Sequence, residues 1–183
     1  MRHRLSAMVL VVGLTALLGG WWFSASMMEP QQTQEQILSS PAELLGQRRP
    51  AFTLGGLDGQ WLSASDLEGT VTLINFWATW CAPCLREMPM LAEVHESYRD
   101  QGFQVVGIAM DNMDEAREFA TELEISYPVL VGMADVMATG LDYGNRDGLL
   151  PYSVLIDREG VVRWTRLGEV KRDDILSQMR PLL

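Results

Sequence analysis

The chain contains two cysteines, Cys81 and Cys84, separated by only two residues. They follow Val71–Trp77, an apolar run with β-branched residues that predicts a buried strand, and a helical pattern begins at Cys81. This order places the Cys81 sulfur at a helix N-terminus, where unpaired amide groups and the helix dipole favour a thiolate. Cys84 lies one turn further on, close enough to form a disulfide with Cys81. The spacing therefore predicts a redox-active dithiol.

Other uses of the cysteine pair have weaker support. A structural disulfide closed over two intervening residues restrains little of the unfolded chain. A zinc site needs two further ligands, and the only histidines are His3 and His95. A copper-binding module that combines the pair with one of the eleven methionines stays open as an alternative, although no close Met-x-x-Met cluster accompanies the cysteines.

Strands and helices are predicted to alternate around the cysteine pair. Two short strands, 51–54 and 60–63, flank an Asp58-Gly59 turn and predict a hairpin. The helix that starts at Cys81 contains Pro89, where we expect a kink, and should end at Gly102. The remaining pattern predicts strands at 103–110, 127–131, 152–156 and 161–167, and helices at 114–123, 134–143 and 171–183. This order predicts a mixed α/β sheet with helices on both faces.

The first 28 residues predict a membrane anchor or signal segment. Arg2 and Arg4 form a short basic head, and Leu5–Phe23 is uncharged and mostly apolar. Its length suits a signal peptide or a single membrane span, which needs about 20 residues. Because aromatic residues end this stretch, we expect an uncleaved anchor with its N-terminus in the cytoplasm. Residues 29–36 are predicted to form a polar linker, and residues 37–183 a single domain.

Charge and compartment limit the partners of this domain. The formal net charge of −10 argues against nucleic acid, because phosphate binding needs clustered Lys and Arg. Export predicts an oxidising compartment, so we expect the domain at the periplasmic or another extracytoplasmic face, held at the inner membrane. No cysteine lies near the export segment, which excludes a lipid-modified cysteine anchor. We expect a monomer.

Three sequence features occur together: the run from Phe76 to Cys84 (FWATWCAPC), Pro89 five residues later, and Leu150-Pro151 before a late strand. In this combination the chain resembles the thioredoxin superfamily. Asn75 and Glu87 further resemble its membrane-anchored TlpA and ResA branch. The resemblance covers about residues 51–183 and implies a thioredoxin-like three-layer α/β/α sandwich with an N-terminal β-hairpin and a central αβ insertion. It implies no bound cofactor apart from the redox-active disulfide.

The resemblance also implies a role for each cysteine. Cys81 is expected to attack a substrate disulfide, and Cys84 to resolve the resulting mixed disulfide. Cytosolic thioredoxins carry a buried aspartate where this chain has Asn75, and an amide cannot shuttle a proton. Glu87, three residues after Cys84 on the same helix, is therefore expected to act as the general base. The alternative for Glu87 is an exposed carboxylate near a helix start.

Docking residues follow from the same resemblance. Pro151 is expected to be a cis-proline opposite the cysteine pair that leaves the backbone of Leu150 free to pair with an extended substrate. Trp80 and Pro83 are expected to complete the docking surface, with a core aromatic as the alternative for Trp80. His95 is predicted to be a surface or semi-buried residue without a catalytic role.

The direction of electron flow rests on the residues between the cysteines. Ala82-Pro83 carries no histidine or charge that would strongly stabilise the Cys81 thiolate, which favours a reductase of protein disulfides. The resemblance implies that a membrane electron donor of the DsbD or CcdA type supplies the electrons. A disulfide oxidase or isomerase and a thiol peroxidase stay open as alternatives.

Overall fold

A five-stranded mixed sheet is the central layer of this computed structural model, which describes residues 41–183. Its strands lie in the order β5-β4-β3-β6-β7, and a separate antiparallel hairpin consists of β1 and β2. The strands are β1 (Thr53–Gly55), β2 (Trp61–Ser63), β3 (Val71–Trp77), β4 (Phe103–Met110), β5 (Val129–Gly132), β6 (Tyr152–Ile156) and β7 (Val162–Leu167). All seven residues of β3 are buried, as expected for an apolar run in the middle of a sheet.

Residues 41–183 contain five α-helices, of which the first was not predicted and the other four fall close to the predicted positions. They are α1 (Pro41–Leu44), α2 (Ala82–Tyr98), α3 (Met113–Glu122), α4 (Ala134–Asp142) and α5 (Arg172–Met179), with short 3₁₀ helices at Ala64–Leu67, Arg99–Gln101 and Arg180–Leu182. α2 runs through Pro89 to Tyr98, and the chain turns at Gly102, whose φ of 86° suits a residue without a side chain.

Several predicted boundaries are wrong: β1 begins at Thr53 rather than at residue 51, and proline explains two others. The third sheet strand begins at Val129 rather than at residue 127, because Pro128 has no N–H to donate to a neighbouring strand. The final helix ends at Met179 rather than continuing to residue 183, because Pro181 cannot supply the backbone donor that an α-helix needs there.

Successive side chains of β3 belong to two different buried clusters. Leu73 belongs to a buried cluster that includes residues of α2, α3 and α5, whereas Ile74 belongs to one that includes residues of α4 and the hairpin. Successive side chains of a strand point to opposite faces, so the two clusters cover the two faces of the sheet. Full burial of a Leu or Ile side chain contributes about 1.5–3 kcal/mol. The predicted three-layer α/β/α sandwich is confirmed.

The candidate functional residues lie at one edge of the sheet. β3, β4 and β5 are parallel, so their carboxyl ends lie at the same edge. β6 is antiparallel to β3, and β7 to β6, so β6 begins and β7 ends at that edge too. Cys81 follows β3, Asp111 follows β4 and Pro151 precedes β6. We call this side of the sheet the disulfide edge.

The predicted anchor (1–28) and linker (29–36) lie outside the described residues, as do the first residues of the predicted domain. Between residues 41 and 183, no helix has the length and apolar character required to cross a membrane.

Candidate active site

The cysteines are placed by the turn that joins β3 to α2. β3 ends at Trp77, and the N–H of Cys81 donates to the carbonyl of Ala78 at 3.1 Å, which closes the turn. Cys81 is the N-cap of α2, and Pro83 lies in the first turn, where a missing N–H costs no helical hydrogen bond. The chain therefore changes from strand to helix within four residues.

Cys81 and Cys84 are joined by a disulfide with an S–S distance of 1.99 Å and a Cα–Cα distance of 5.3 Å. Cys81 is 5% exposed and Cys84 is fully buried. The sulfur at the helix N-terminus is therefore the more accessible of the two, and the second lies inside the protein. This difference suits one cysteine that meets a substrate and one that resolves the mixed disulfide.

Glu87 lies one turn beyond Cys84 on α2 and is only 2% exposed. Its Oε1 accepts a hydrogen bond from Nδ2 of Asn75 at 2.8 Å, and its Oε2 accepts one from the backbone N–H of Val170 at 2.7 Å. The alternative of an exposed carboxylate is wrong. Because residues three apart on a helix are neighbours, the buried carboxyl lies on the same side of α2 as Cys84.

Asn75 connects this carboxyl to the sheet. Asn75 is fully buried, and it faces Ser153 in the register of β3 with β6. Its Nδ2 therefore reaches the Ser153 hydroxyl at 3.1 Å as well as the Glu87 carboxyl. An amide at this position donates two hydrogen bonds and stays neutral at every pH, so the titrating group of the site is Glu87.

Burial raises the pKa of Glu87 from its ordinary value of 4.5 to about 7. Hydrogen bonds from Val170 and Asn75 act in the opposite direction, and the nearby Glu169 charge raises the pKa further. Loss of hydration outweighs the two donors because both protein hydrogen bonds replace only part of the water that an exposed carboxylate would bind. A carboxyl with this pKa can both accept and release a proton near neutral pH.

A buried carboxylate holds the turn before Cys81. Oδ2 of Asp111 accepts hydrogen bonds from the backbone N–H of Thr79 at 2.8 Å and from its hydroxyl at 2.6 Å. Oδ1 of Asp111 accepts from the N–H of Asn112 at 3.0 Å. The sequence reasoning missed Asp111, although its place directly after a predicted buried strand was a usable signal.

The loop before Pro151 is braced in a similar way by Asn145. Its Nδ2 donates to the carbonyl of Leu149 at 3.0 Å, and its Oδ1 accepts from the N–H of Leu149 at 3.1 Å. The Leu150–Pro151 peptide bond is cis, as expected. Within residues 41–183, the backbone N–H and carbonyl of Leu150 form no hydrogen bond. The sequence reasoning treated residues 145–148 only as a loop and so missed Asn145.

Apolar side chains that are exposed or half-buried lie next to the cysteines in the chain and directly before Pro151. Trp80 is 68% exposed, so the alternative of a core aromatic is wrong. Leu149 is 51% exposed, and Pro83 and Leu150 are half-buried. Of the predicted docking residues, Trp80 and Leu150 therefore lie in loops at the disulfide edge and Pro83 in the first turn of α2, each with part of its surface open to solvent.

His95 differs from its predicted surface or semi-buried position. It is only 9% exposed, and its Nδ1 accepts a hydrogen bond from the N–H of Val105 at 3.1 Å. Its ring packs edge-on against Tyr127, with centroids 6.2 Å apart. Burial lowers the pKa of His95, because removal of water disfavours the imidazolium. His95 joins α2 to β4 and takes no part in the site.

Residues 41–183 contain no group of three or more His, Cys, Asp or Glu side chains arranged to hold a metal ion. Both cysteine sulfurs of the chain are engaged in the disulfide.

Comparison with known proteins agrees with this geometry. The profile of the AhpC/TSA family matches residues 45–165. The thiol-disulfide oxidoreductase ResA of Bacillus thuringiensis (strain Al Hakam) is 30% identical over 140 residues, which cover 75% of this chain and 78% of that protein.

Two solved structures are also similar. A protein proposed to be the thiol:disulfide interchange protein DsbE of Chlorobium tepidum has a TM-score of 0.69 at 30% identity, over 75% of this chain and 96% of the other. A secreted thiol-disulfide isomerase of Corynebacterium glutamicum has a TM-score of 0.67 at 27% identity, over 84% and 94% of the two chains. The protein belongs to the thioredoxin-like AhpC/TSA family and is a thiol-disulfide oxidoreductase related to ResA.

Proposed function

We propose that this oxidoreductase is an extracytoplasmic reductase of protein disulfides that works through Cys81 and Cys84. The observation that carries the proposal is the buried Glu87 carboxyl, one helical turn beyond Cys84, with a pKa of about 7. A carboxyl of this kind can remove a proton from a resolving thiol and release it again at neutral pH. A disulfide with a purely structural role would have no use for it.

The proposed reaction has two exchange steps. The Cys81 thiolate attacks one sulfur of a substrate disulfide, forms a mixed disulfide and releases the other substrate sulfur as a thiolate. Cys84 then gives its proton to Glu87, and its thiolate attacks Sγ of Cys81. The second substrate thiolate leaves, and Cys81 and Cys84 end as a disulfide. Two electrons pass to the substrate, and its two sulfurs take up one proton from Glu87 and one from solvent.

Substrate docking is assigned to the loops at the disulfide edge. The backbone N–H and carbonyl of Leu150, next to Pro151, have no partner among residues 41–183, which suits pairing with an extended polypeptide segment. Trp80 exposes most of its ring beside Cys81, and with Pro83 offers apolar contact to the side chains of such a segment. An unfolded or extended protein substrate supplies both a free backbone and apolar side chains.

The proposed direction of electron flow depends on the charges near Cys81. Ala82 and Pro83 bring no positive charge between the cysteines. Arg86, one turn further along α2, is paired with Glu169 at 2.6 Å, which reduces its effect on the Cys81 thiolate. A weakly stabilised thiolate favours the oxidised form of the dithiol and hence a reducing potential. Such a reductant needs electrons, and we assign their supply to a membrane donor of the DsbD or CcdA type.

The proposed location rests on the sequence of residues 1–28 and on the relatives. A basic head followed by a long apolar stretch supports an inner-membrane anchor, with the polar residues 29–36 as linker and residues 37–183 as the catalytic domain. The similar Corynebacterium glutamicum protein is described as secreted. A tether keeps the domain, which we expect to be a monomer, close to a membrane donor and raises its effective concentration there.

The reduction potential tests the proposed direction. The purified protein is equilibrated with defined glutathione buffers, and its fraction of oxidised dithiol is measured by thiol alkylation. A potential near −270 mV, about that of thioredoxin, supports the reductase. A potential near −120 mV, about that of DsbA, would instead assign an oxidase. Insulin reduction with dithiothreitol as electron source provides the activity, and peroxide consumption under the same conditions tests the peroxidase alternative.

A trapping experiment tests the order of the two cysteines. Cys84→Ser in the native host should accumulate mixed disulfides between Cys81 and substrate proteins that dissolve on reduction. The matched variant Cys81→Ser leaves only the buried sulfur and should trap far less. Equal trapping by both variants would contradict the assigned roles. Stoichiometric copper binding without insulin reduction would replace the reductase by a copper-binding module.

A further inference from the structure

Asp111 at the end of β4 is the only buried acid described at the disulfide edge besides Glu87. Among the hydrogen bonds of residues 41–183, it forms none with Asn75 or Glu87. Natural sequences seldom bury a carboxylate without partners, and this one is satisfied by the turn that leads to Cys81. Its contacts therefore point to a role in the Ala78–Cys81 turn.

The contacts of Asp111 join three parts of the disulfide edge. Its Oδ2 accepts from both the N–H and the hydroxyl of Thr79, which lies two residues before Cys81. Its own N–H donates to the carbonyl of Gly132 at the end of β5 at 3.1 Å. The backbone of Asp111 is therefore fixed to β5, and its carboxylate fixes the Ala78–Cys81 turn through Thr79.

The charge of Asp111 is maintained at physiological pH. Burial acts to raise its pKa, but the hydrogen bonds from Thr79 and from the N–H of Asn112 outweigh burial and keep the pKa below its ordinary value. A hydrogen bond with the side chain of Glu115, on the first turn of α3, also lowers the pKa of Asp111. Asp111 is thus an anion on the cysteine side of the sheet.

Chain geometry limits how far this anion can be from Cys81. The carboxylate is hydrogen-bonded to Thr79, and two residues of chain span at most about 7 Å between Cα atoms, so the charge lies no more than about 12 Å from the Cys81 Cα. At this range and at a partly buried site, one unit charge changes an ionisation equilibrium about tenfold. A negative charge there opposes the helix dipole, which favours a Cys81 thiolate.

We propose that Asp111 is a positioning residue that holds the Ala78–Cys81 turn and whose negative charge makes the dithiol a stronger reductant. The inference rests on the proposed function, since it concerns the potential of the same cysteine pair. The relevant equilibrium is protein disulfide plus two glutathione thiols giving protein dithiol plus glutathione disulfide. Two electrons and two protons pass to the protein. An anion near Cys81 destabilises the reduced, thiolate-containing form and shifts this equilibrium toward the protein disulfide.

Asp111→Asn removes the charge and keeps an oxygen that can accept from Thr79. In glutathione buffers at pH 8, where the Cys81 thiolate is populated, the equilibrium constant for reduction of the protein should rise about tenfold, which is about 30 mV in potential. In a Cys84→Ser background, the pH midpoint of Cys81 alkylation should fall by about one unit. A purely structural effect on folding would not move this midpoint in a defined direction.

Two matched variants separate charge from loop geometry. Thr79→Val removes one hydrogen bond to Asp111 and leaves the charge, so its equilibrium constant should stay within about threefold of wild type. Asp157→Asn neutralises the buried acid of the β6–β7 turn, at the opposite edge of the sheet, and should also leave the potential unchanged. Thermal unfolding of each variant establishes that it is folded.

Three outcomes would overturn the inference. Asp111→Asn could leave the constant within threefold of wild type, Thr79→Val could shift it as much as Asp111→Asn, or Asp157→Asn could shift it equally. These comparisons are made between variants and do not depend on whether the wild type reduces proteins. Failure of wild type to reduce insulin, or an oxidising wild-type potential, contradicts the proposed function and is seen separately.

Discussion

Replacement of Glu87 by glutamine should change how the stability of the oxidised protein depends on pH. The folded-state pKa of Glu87 is about 7, above its ordinary value of 4.5. The folded protein therefore binds the Glu87 proton more tightly than the unfolded chain does. Below pH 4.5 Glu87 is protonated in both the folded and the unfolded protein, so it makes no pH-dependent contribution to the free energy of unfolding. Between pH 4.5 and 7 the free energy of unfolding falls as pH rises, and above pH 7 the whole penalty is present.

The size of the penalty follows from the interval between these two pKa values. At about 1.4 kcal/mol per pKa unit, the interval corresponds to about 3 kcal/mol. Glutamine stays neutral, so the variant does not show this fall in the free energy of unfolding with pH. It also replaces one acceptor oxygen by an NH₂ group that faces either Asn75 or Val170, both of which are donors. That mismatch costs about 1–3 kcal/mol at every pH.

The assay is urea unfolding of the oxidised protein from pH 4 to pH 8, with the disulfide intact so that no thiol titrates. The free energy of unfolding of Glu87→Gln minus that of wild type should rise by about 3 kcal/mol across this range. Glu118→Gln, which removes one exposed charge from α3, should run parallel to wild type. If the Glu87→Gln difference stays constant to within about 1 kcal/mol, the reasoning about the buried carboxyl is refuted.

Four further substitutions test the surroundings of the site. Gly107→Ala should lower the free energy of unfolding by about 1–3 kcal/mol, because a Cβ there would lie 3.0 Å and 3.1 Å from two buried aromatic side chains. In the same urea titration Gly140→Ala, where the nearest atom is 3.8 Å away, should be neutral or stabilising. Asn145→Ala removes both side-chain hydrogen bonds that brace the loop before β6 and should cost about 1–3 kcal/mol. The KM of this variant for insulin should rise, and an unchanged KM would show that the loop before β6 takes no part in substrate docking. Asn75→Asp places a second carboxyl within hydrogen-bond distance of Glu87, so the pair should hold one proton at a higher pH than Glu87 alone. Infrared titration of the carboxyl band tests this, and an unshifted midpoint would contradict the assigned contact.

The amino-acid sequence alone was sufficient to predict the seven strands and the helices α2 to α5, and their order. The apolar run of β3, the helical spacing after Cys81 and the hairpin turns are local patterns, and local patterns report directly on strand and helix periodicity. Two of the boundary errors fell at Pro128 and Pro181, where the loss of one backbone donor moved a boundary by a few residues. The position of Cys81 at a helix N-terminus also followed from neighbours in the chain.

Only the tertiary structure decided which polar groups are buried and what they contact. Glu87 was equally compatible with an exposed helix surface, and its burial depends on Val170, 83 residues away, and on Asn75. Asn75 in turn depends on Ser153, 78 residues away, through the register of β3 with β6. Such contacts leave no periodic signal along the chain. The sequence therefore determined the dithiol and the fold that carries it, whereas the proton-accepting pKa of Glu87 arises from distant residues that folding brings together.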